Sequence, residues 1–263
     1  MDLKLNGKTA LVTGATAGIG LEIARALVRE AAHVFVTGRD PRKLEAAVAE
    51  LRATGRGEVT GIAADPATEE GDAAIGAALP SVDVLVNNLG IYEVRPFKEI
   101  DDAEWRRYFE VNVLGGVRLA RRYLPGMLER NWGRIVFVSS ESALMTPGDM
   151  VHYGMTKTAQ LAVSRGLAQQ TRGTAVTVNA VLPGPTRSEG IVTFLQGLAA
   201  QPDATPAEAE AEFFATHRAT SLLQRLIEAE EVAALVAFVA SPLAAAVNGA
   251  ALRVDGGVTP TMA

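Results

Sequence analysis

The chain contains no cysteine, which excludes disulfides, thiolate metal centres and cysteine nucleophiles. Histidine is nearly as scarce: His33, His152 and His217 stand too far apart for a metal-ligand spacing. Positive charge is not in excess. A net charge of −5 and a pI near 5.4 speak against a nucleic-acid surface and suit a small-molecule ligand. Long apolar runs are missing too, since no stretch of about 18 apolar residues lacks charge, so no membrane partner is expected. The opening residues, MDLKLNGKTALVTG, show no charged-then-apolar leader pattern, and the expectation is a cytoplasmic protein.

What remains is an ordinary globular balance of 48% apolar and 21% charged residues over 263 positions, enough for one sizeable core. Short Val- and Ile-rich runs at Thr9–Thr13, His33–Thr37, Val59–Ala63, Val82–Asn87, Arg134–Ser139, Ala175–Leu182 and Ala251–Val254 read as strands buried on both faces. Between them lie helical periods at about Ile19–Glu30, Pro41–Arg52, Glu69–Ala78, Asp102–Glu129, Met150–Gln170 and Ala229–Ala240. Such alternation predicts an α/β fold, a Rossmann-type doubly wound parallel sheet of about seven strands, as one domain over residues 1–263. One segment breaks the rhythm. Ser188–Leu223 carries Phe194, Leu195, Leu198, Phe213 and Phe214 among Gly, Pro and Thr, and its length predicts a helical flap over a substrate. Its apolar content leans toward an uncharged or hydrophobic substrate.

The first strand runs into Gly14-Ala15-Thr16-Ala17-Gly18-Ile19-Gly20 and then an amphipathic helix. Glycines there permit a tight turn and bring backbone N–H groups, with the positive end of a helix, close to a pyrophosphate. At the end of the second strand, Asp40 precedes Pro41, the pattern of a helix cap followed by proline at the first helical position. Arg39 is then free for a 2′-phosphate, which predicts NADP(H) as the preferred cofactor, with NAD(H) as the alternative.

Tyr153 and Lys157 stand four apart, on one face of a helix. An ordinary tyrosine, with a pKa near 10, is a poor acid–base at neutrality. A cation about 4 Å away contributes roughly 4 kcal/mol at an effective dielectric near 20, enough to lower the phenol by up to about three units. Ser139-Ser140 ends a strand where ligands of open α/β sheets gather, so a serine hydroxyl could hold a substrate carbonyl against Tyr153. Asn87-Asn88-Leu89-Gly90 ends another strand, and Asn112 sits in an apolar helical stretch where a buried amide needs partners. His152 turns about 100° away from Tyr153 along the helix. Glu141 and Asp149 border the site and read as solvated loop charges, and Arg118, Arg121 and Arg122 as a polar helix face or subunit contact.

These motifs, in this order from Thr13-Gly14 to Val254-Asp255-Gly256-Gly257, resemble the compact short-chain dehydrogenase/reductase family over nearly the whole chain. The resemblance implies hydride transfer between nicotinamide and a small carbonyl or alcohol, as in 3-oxoacyl and other ketone reductases. Its catalytic serine lies 13 residues before the tyrosine, which selects Ser140 for a tetrad of Asn112, Ser140, Tyr153 and Lys157, with Asn112 anchoring a relay water. It implies cofactor contacts at Gly14, Thr16, Ala17, Gly18, Ile19, Gly20, Arg39, Asp65, Asn88, Gly90, Tyr153, Lys157, Pro183, Gly184, Thr186 and Ser188, no metal, and a homo-oligomer, tetramer or dimer. Asn87 would support the central sheet. Leu89, Ala143 and Ala17 depart from the usual pattern. An inert cofactor-binding regulator and a lyase on the same fold are the alternatives.

Overall fold

A computed structural model describes residues 2–201 and 203–262. Its seven strands are β1 (Thr9–Val12), β2 (His33–Gly38), β3 (Val59–Ala63), β4 (Val84–Asn87), β5 (Gly133–Val138), β6 (Val176–Pro183) and β7 (Ala251–Val254). They form one parallel sheet in the order β3-β2-β1-β4-β5-β6-β7. The helices are α1 (Gly18–Arg29), α2 (Pro41–Arg52), α3 (Glu69–Ala78), α4 (Asp102–Phe109), α5 (Gly115–Glu129), α6 (Val151–Gln170), α7 (Glu189–Leu198), α8 (Pro206–Thr216) and α9 (Ala229–Val239).

A parallel sheet needs cover on both faces, and the apolar stripes supply it. Ile23 and Leu27 of α1, Leu44 and Leu51 of α2 and Val232 and Val236 of α9 pack with one set of strand residues. Ile75 of α3 and Leu119, Tyr123 and Met127 of α5 pack with the other set, where Leu161 and Leu167 of α6 join them. Each fully buried Ile or Leu contributes about 2 kcal/mol. The chain reverses its winding between β1 and β4, and ligands of such sheets bind beyond the strand ends at this switch point.

Two expectations change in detail. The long helix expected over Asp102–Glu129 is divided by a wide π-type turn at Glu110–Leu114, which holds Asn112. Such turns often mark functional sites, because the extra residue re-aims a side chain. The fourth strand begins at Val84 rather than Val82, while the sixth extends through Pro183. Asp40 is the cap the sequence indicates, accepting hydrogen bonds from the N–H groups of Arg42 (2.9 Å) and Lys43 (3.4 Å), with Pro41 following.

Candidate active site

Every strand of a parallel sheet ends on the same edge, so the loops after β1, β2, β3, β4, β5 and β6 converge there. That edge collects residues distant in sequence. Gly14 and Gly18 adopt φ of +62° and +55°, the left-handed region that glycine occupies without strain. A Cβ on Gly20 would lie 2.5 Å from both the Asn88 Nδ2 and the Gly14 carbonyl, so only glycine lets the turn close here. Ala17 precedes α1 without a side-chain cap, and no acidic residue stands in the first turn. The unclaimed N–H groups of that turn fit a pyrophosphate.

Asn88 ties the two strands at the switch point. Its amide nitrogen donates to the carbonyls of Thr13 (2.9 Å) and Gly14 (3.1 Å), while Thr13 Oγ1 accepts from the N–H groups of Asn88 and Leu89, both at 3.0 Å. The sheet-supporting side chain is therefore Asn88 rather than Asn87. Successive strand residues point to opposite faces, and Asn87 faces α5, donating to the Gly116 carbonyl at 3.4 Å. Thr16 lies against Gly38 at the end of β2, and Ser188 against Gly18. Arg39 is not free: its guanidinium stands 3.6 Å from the Asp65 carboxylate, both partners being largely or partly exposed. Asp65 also accepts from the Ala67 N–H at 3.0 Å. Past β6, Gly184 passes so close to the Asp255 backbone that a Cβ would clash, Thr186 donates to the Gly184 carbonyl, and Ser188 caps α7.

Tyr153 and Lys157 occupy the first turns of α6, which Ser139 binds to β5 by donating to the Lys157 carbonyl at 2.9 Å. The Lys157 amine is buried beside Gly90, 5.6 Å from the centre of the Tyr153 ring. It donates to the Val138 carbonyl at 3.0 Å and to Gln160 Oε1 at 3.4 Å. Burial lowers its pKa to about 8, against an opposing pull from Glu141. Tyr153 departs from the sequence expectation of a phenol drawn toward neutrality. Burial raises its pKa, the Glu141 charge raises it further, and the neighbouring Ser140 hydroxyl only partly offsets both. The amine spends its hydrogen bonds on the floor of the cleft instead.

Asn112 grips two segments. Its side chain accepts from the Ile91 N–H (2.8 Å) and donates to the Ile91 carbonyl and to Thr156 Oγ1, both at 3.0 Å. Its backbone carbonyl accepts from Gln160 Nε2 at 2.5 Å, so Gln160 links Asn112 directly to Lys157. A cavity of about 10 Å³, near the size of one water, lies beside Gln160, Asn112 and Asn87.

Two residues here, Gln160 and Arg218, escape the sequence reading, and a third, Glu141, is placed by it at the border of the site but as a solvated charge. Gln160 stands three positions after Lys157, so helical spacing could have found it. Glu141 is no solvated loop charge: it is 5% exposed, and Ser140 Oγ donates to its Oε2 at 2.5 Å. Its other oxygen faces Arg218 Nη2 at 3.4 Å. Arg218 follows α8, far along the chain, and nothing in the sequence signals the encounter.

The segment 188–223 does form helices, α7 and α8, at this edge. Phe213 and Phe214 do not line a substrate surface, however. Phe213 and Phe214 are buried with Leu195 and Leu226, and Phe194 packs against them, in a small separate core. Leu198, Leu222 and Leu223 of the same segment remain exposed. His152 is fully buried against Tyr108, 4.1 Å between ring centres, and burial lowers its pKa. Arg118 pairs with Glu110 and Arg122 with Asp72. Among the described residues no group of His, Asp or Glu is arranged to hold a metal, and no helix is long and apolar enough to cross a membrane.

A glycine turn at the switch point, with a phenol, an amine and a serine hydroxyl at the same strand edge, defines a dinucleotide-fold enzyme. Comparison with known proteins specifies the family. The model for short chain dehydrogenase matches residues 8–196. An uncharacterized oxidoreductase, YvaG, of Bacillus subtilis (strain 168) is 50% identical over 98% of both chains. The 3-oxoacyl-[acyl-carrier-protein] reductase FabG of Escherichia coli (strain K12) is 33% identical over 97% of this chain and 99% of its own. L-sorbose reductase of Gluconobacter frateurii, solved with NADPH and L-sorbose, superposes over 100% of both chains with a TM-score of 0.92 at 30% identity. The chain belongs to the short-chain dehydrogenase/reductase family and is an oxidoreductase acting on CH–OH or C=O groups.

Proposed function

We propose that the chain moves a hydride between a nicotinamide and a carbonyl or secondary alcohol, with Tyr153 exchanging the proton at the substrate oxygen. The observation that carries this reading is the meeting of Tyr153, Lys157 and Ser140 beside a glycine turn whose free N–H groups suit a pyrophosphate. A bound nicotinamide supplies or accepts the hydride. The Tyr153 phenol is protonated at neutral pH, so it can give its proton to the substrate oxygen in reduction and take it back in oxidation. Ser140 orients the oxygen. Lys157, with a pKa near 8, carries its charge at neutrality and is held in place through Gln160 and Asn112.

Support also comes from L-sorbose reductase, which holds NADPH with its sugar, and from the 3-oxoacyl reductase. Arg39, at the end of β2 and 72% exposed in its side chain, can leave Asp65 for a 2′-phosphate, which favours NADPH over NADH. We assign the partners as a small carbonyl or alcohol and further copies of this chain, associating through α4, α5 and α6. Light scattering at micromolar concentration tests the association. The reaction is tested with a panel of carbonyls and alcohols, both cofactors, and the absorbance of reduced nicotinamide. Tyr153→Phe should abolish turnover and leave cofactor affinity nearly unchanged. Retention of most of the rate would remove Tyr153 from its role.

A further inference from the structure

Ser140 presents a single proton to two acceptors. Its hydroxyl donates to Glu141 Oε2 at 2.5 Å, and in the proposed reaction the same hydroxyl must donate to the substrate oxygen. Glu141 is only 5% exposed, so water does not readily replace a lost donor. Its Oε1 is engaged by Arg218 at 3.4 Å, and Arg218 is itself partly buried, its Nε without a partner among the described residues. The carboxylate is thus fixed from behind by the flap, with Oε2 turned toward the serine that holds the substrate.

We infer that Glu141 is a specificity-determining residue and that the substrate class is a ketone bearing a hydroxyl on the neighbouring carbon, or the matching polyol in reverse. The inference rests on the hydride-transfer reading above. When the carbonyl oxygen of such a molecule takes the Ser140 proton, the adjacent hydroxyl donates to Glu141 Oε2 in its place. Every polar group then keeps a partner. A plain ketone offers no replacement donor: either Ser140 stays with Glu141 and the carbonyl goes unheld, or a buried carboxylate oxygen is left bare. Sites built around a substrate hydroxyl reject the analogue lacking it for this reason.

The test compares hydroxyacetone with butanone, which differ only by hydroxyl for methyl, using the full-length enzyme with NADPH and with NADH. Wild type should favour hydroxyacetone in kcat/KM by about tenfold or more. Glu141→Gln, isosteric but uncharged, should bring the ratio to within about threefold, and Arg218→Lys, which leaves the carboxylate less firmly aimed, should give an intermediate ratio. Circular dichroism and cofactor affinity check that each variant is folded. Should Glu141→Gln fail to fold, the wild-type ratio and Arg218→Lys still decide. A ratio near one in wild type, or a ratio untouched by both substitutions, overturns the inference while leaving the hydride-transfer reading in place. Failure to turn over any carbonyl or alcohol in the wider panel removes both.

Discussion

Replacing Lys157 with Met should change how stability depends on pH, in a direction and amount that follow from the burial of the amine. The unfolded lysine titrates at 10.5 and the folded one at about 8, with burial as the leading cause. Between those values the unfolded chain binds a proton that the folded chain does not, so the stability of the wild type rises with pH across that window. Below pH 8 both states are protonated and the full cost of the buried charge is present. The fall from 10.5 to about 8, at about 1.36 kcal/mol per unit, amounts to about 3 kcal/mol. Lys157 is only 4% exposed, so solvent screening takes little from this. Met fills similar space and does not titrate. Its loss of the hydrogen bonds to Val138 and Gln160 adds an offset that is the same at every pH. Urea unfolding of both proteins at one chain concentration, from pH 7 to 10.5, should show wild type gaining about 3 kcal/mol on the variant. A difference that stays flat over that range would show that the amine is solvated in the folded state, and the electrostatics assigned to the site would fail with it. The variant should be inactive at every pH.

Other substitutions probe other parts of the site. Gly20→Ala puts a methyl 2.5 Å from Asn88 Nδ2 and the Gly14 carbonyl, so it should destabilise the fold by about 1–3 kcal/mol and weaken cofactor binding at least tenfold; unchanged cofactor affinity by fluorescence titration would remove the turn from the cofactor site. Arg39→Ala should lower kcat/KM with NADPH about tenfold, leave NADH nearly untouched and alter stability by less than about 0.5 kcal/mol, since the pair with Asp65 is exposed. Equal losses with both cofactors would disprove the 2′-phosphate contact. Gln160→Leu strips a donor from the buried Asn112 carbonyl and an acceptor from Lys157, at a cost of about 1–3 kcal/mol, and should reduce kcat far more than cofactor affinity. A fully active, equally stable Gln160→Leu protein would show that the link carries nothing.

Local patterns made much of this molecule legible from its residues. The Val- and Ile-rich runs could only be strands covered on both faces, and the helical periods between them required parallel crossovers, so the sheet was readable before any contact was known. Asp40 before Pro41 announced its own cap. The glycine turn and the four-residue step from Tyr153 to Lys157 were readable because turns and helix faces depend on near neighbours. The division of the helix expected over Asp102–Glu129 was less visible, since one extra residue in a turn hardly disturbs a helical period.

The sequence by itself determined which residues sit in strands and turns and on which helical face, because periodicity and backbone preference act within a few residues. Only the tertiary structure decided what each charge meets. It placed Arg218, just after α8, on Glu141, Glu141 on Ser140, Gln160 between Lys157 and Asn112, and Phe213 and Phe214 of α8 in a small core with Leu195 and Leu226. Burial and Coulomb interactions act through space, and residues 77 positions apart, such as Glu141 and Arg218, come within reach only when the sheet edge has gathered them.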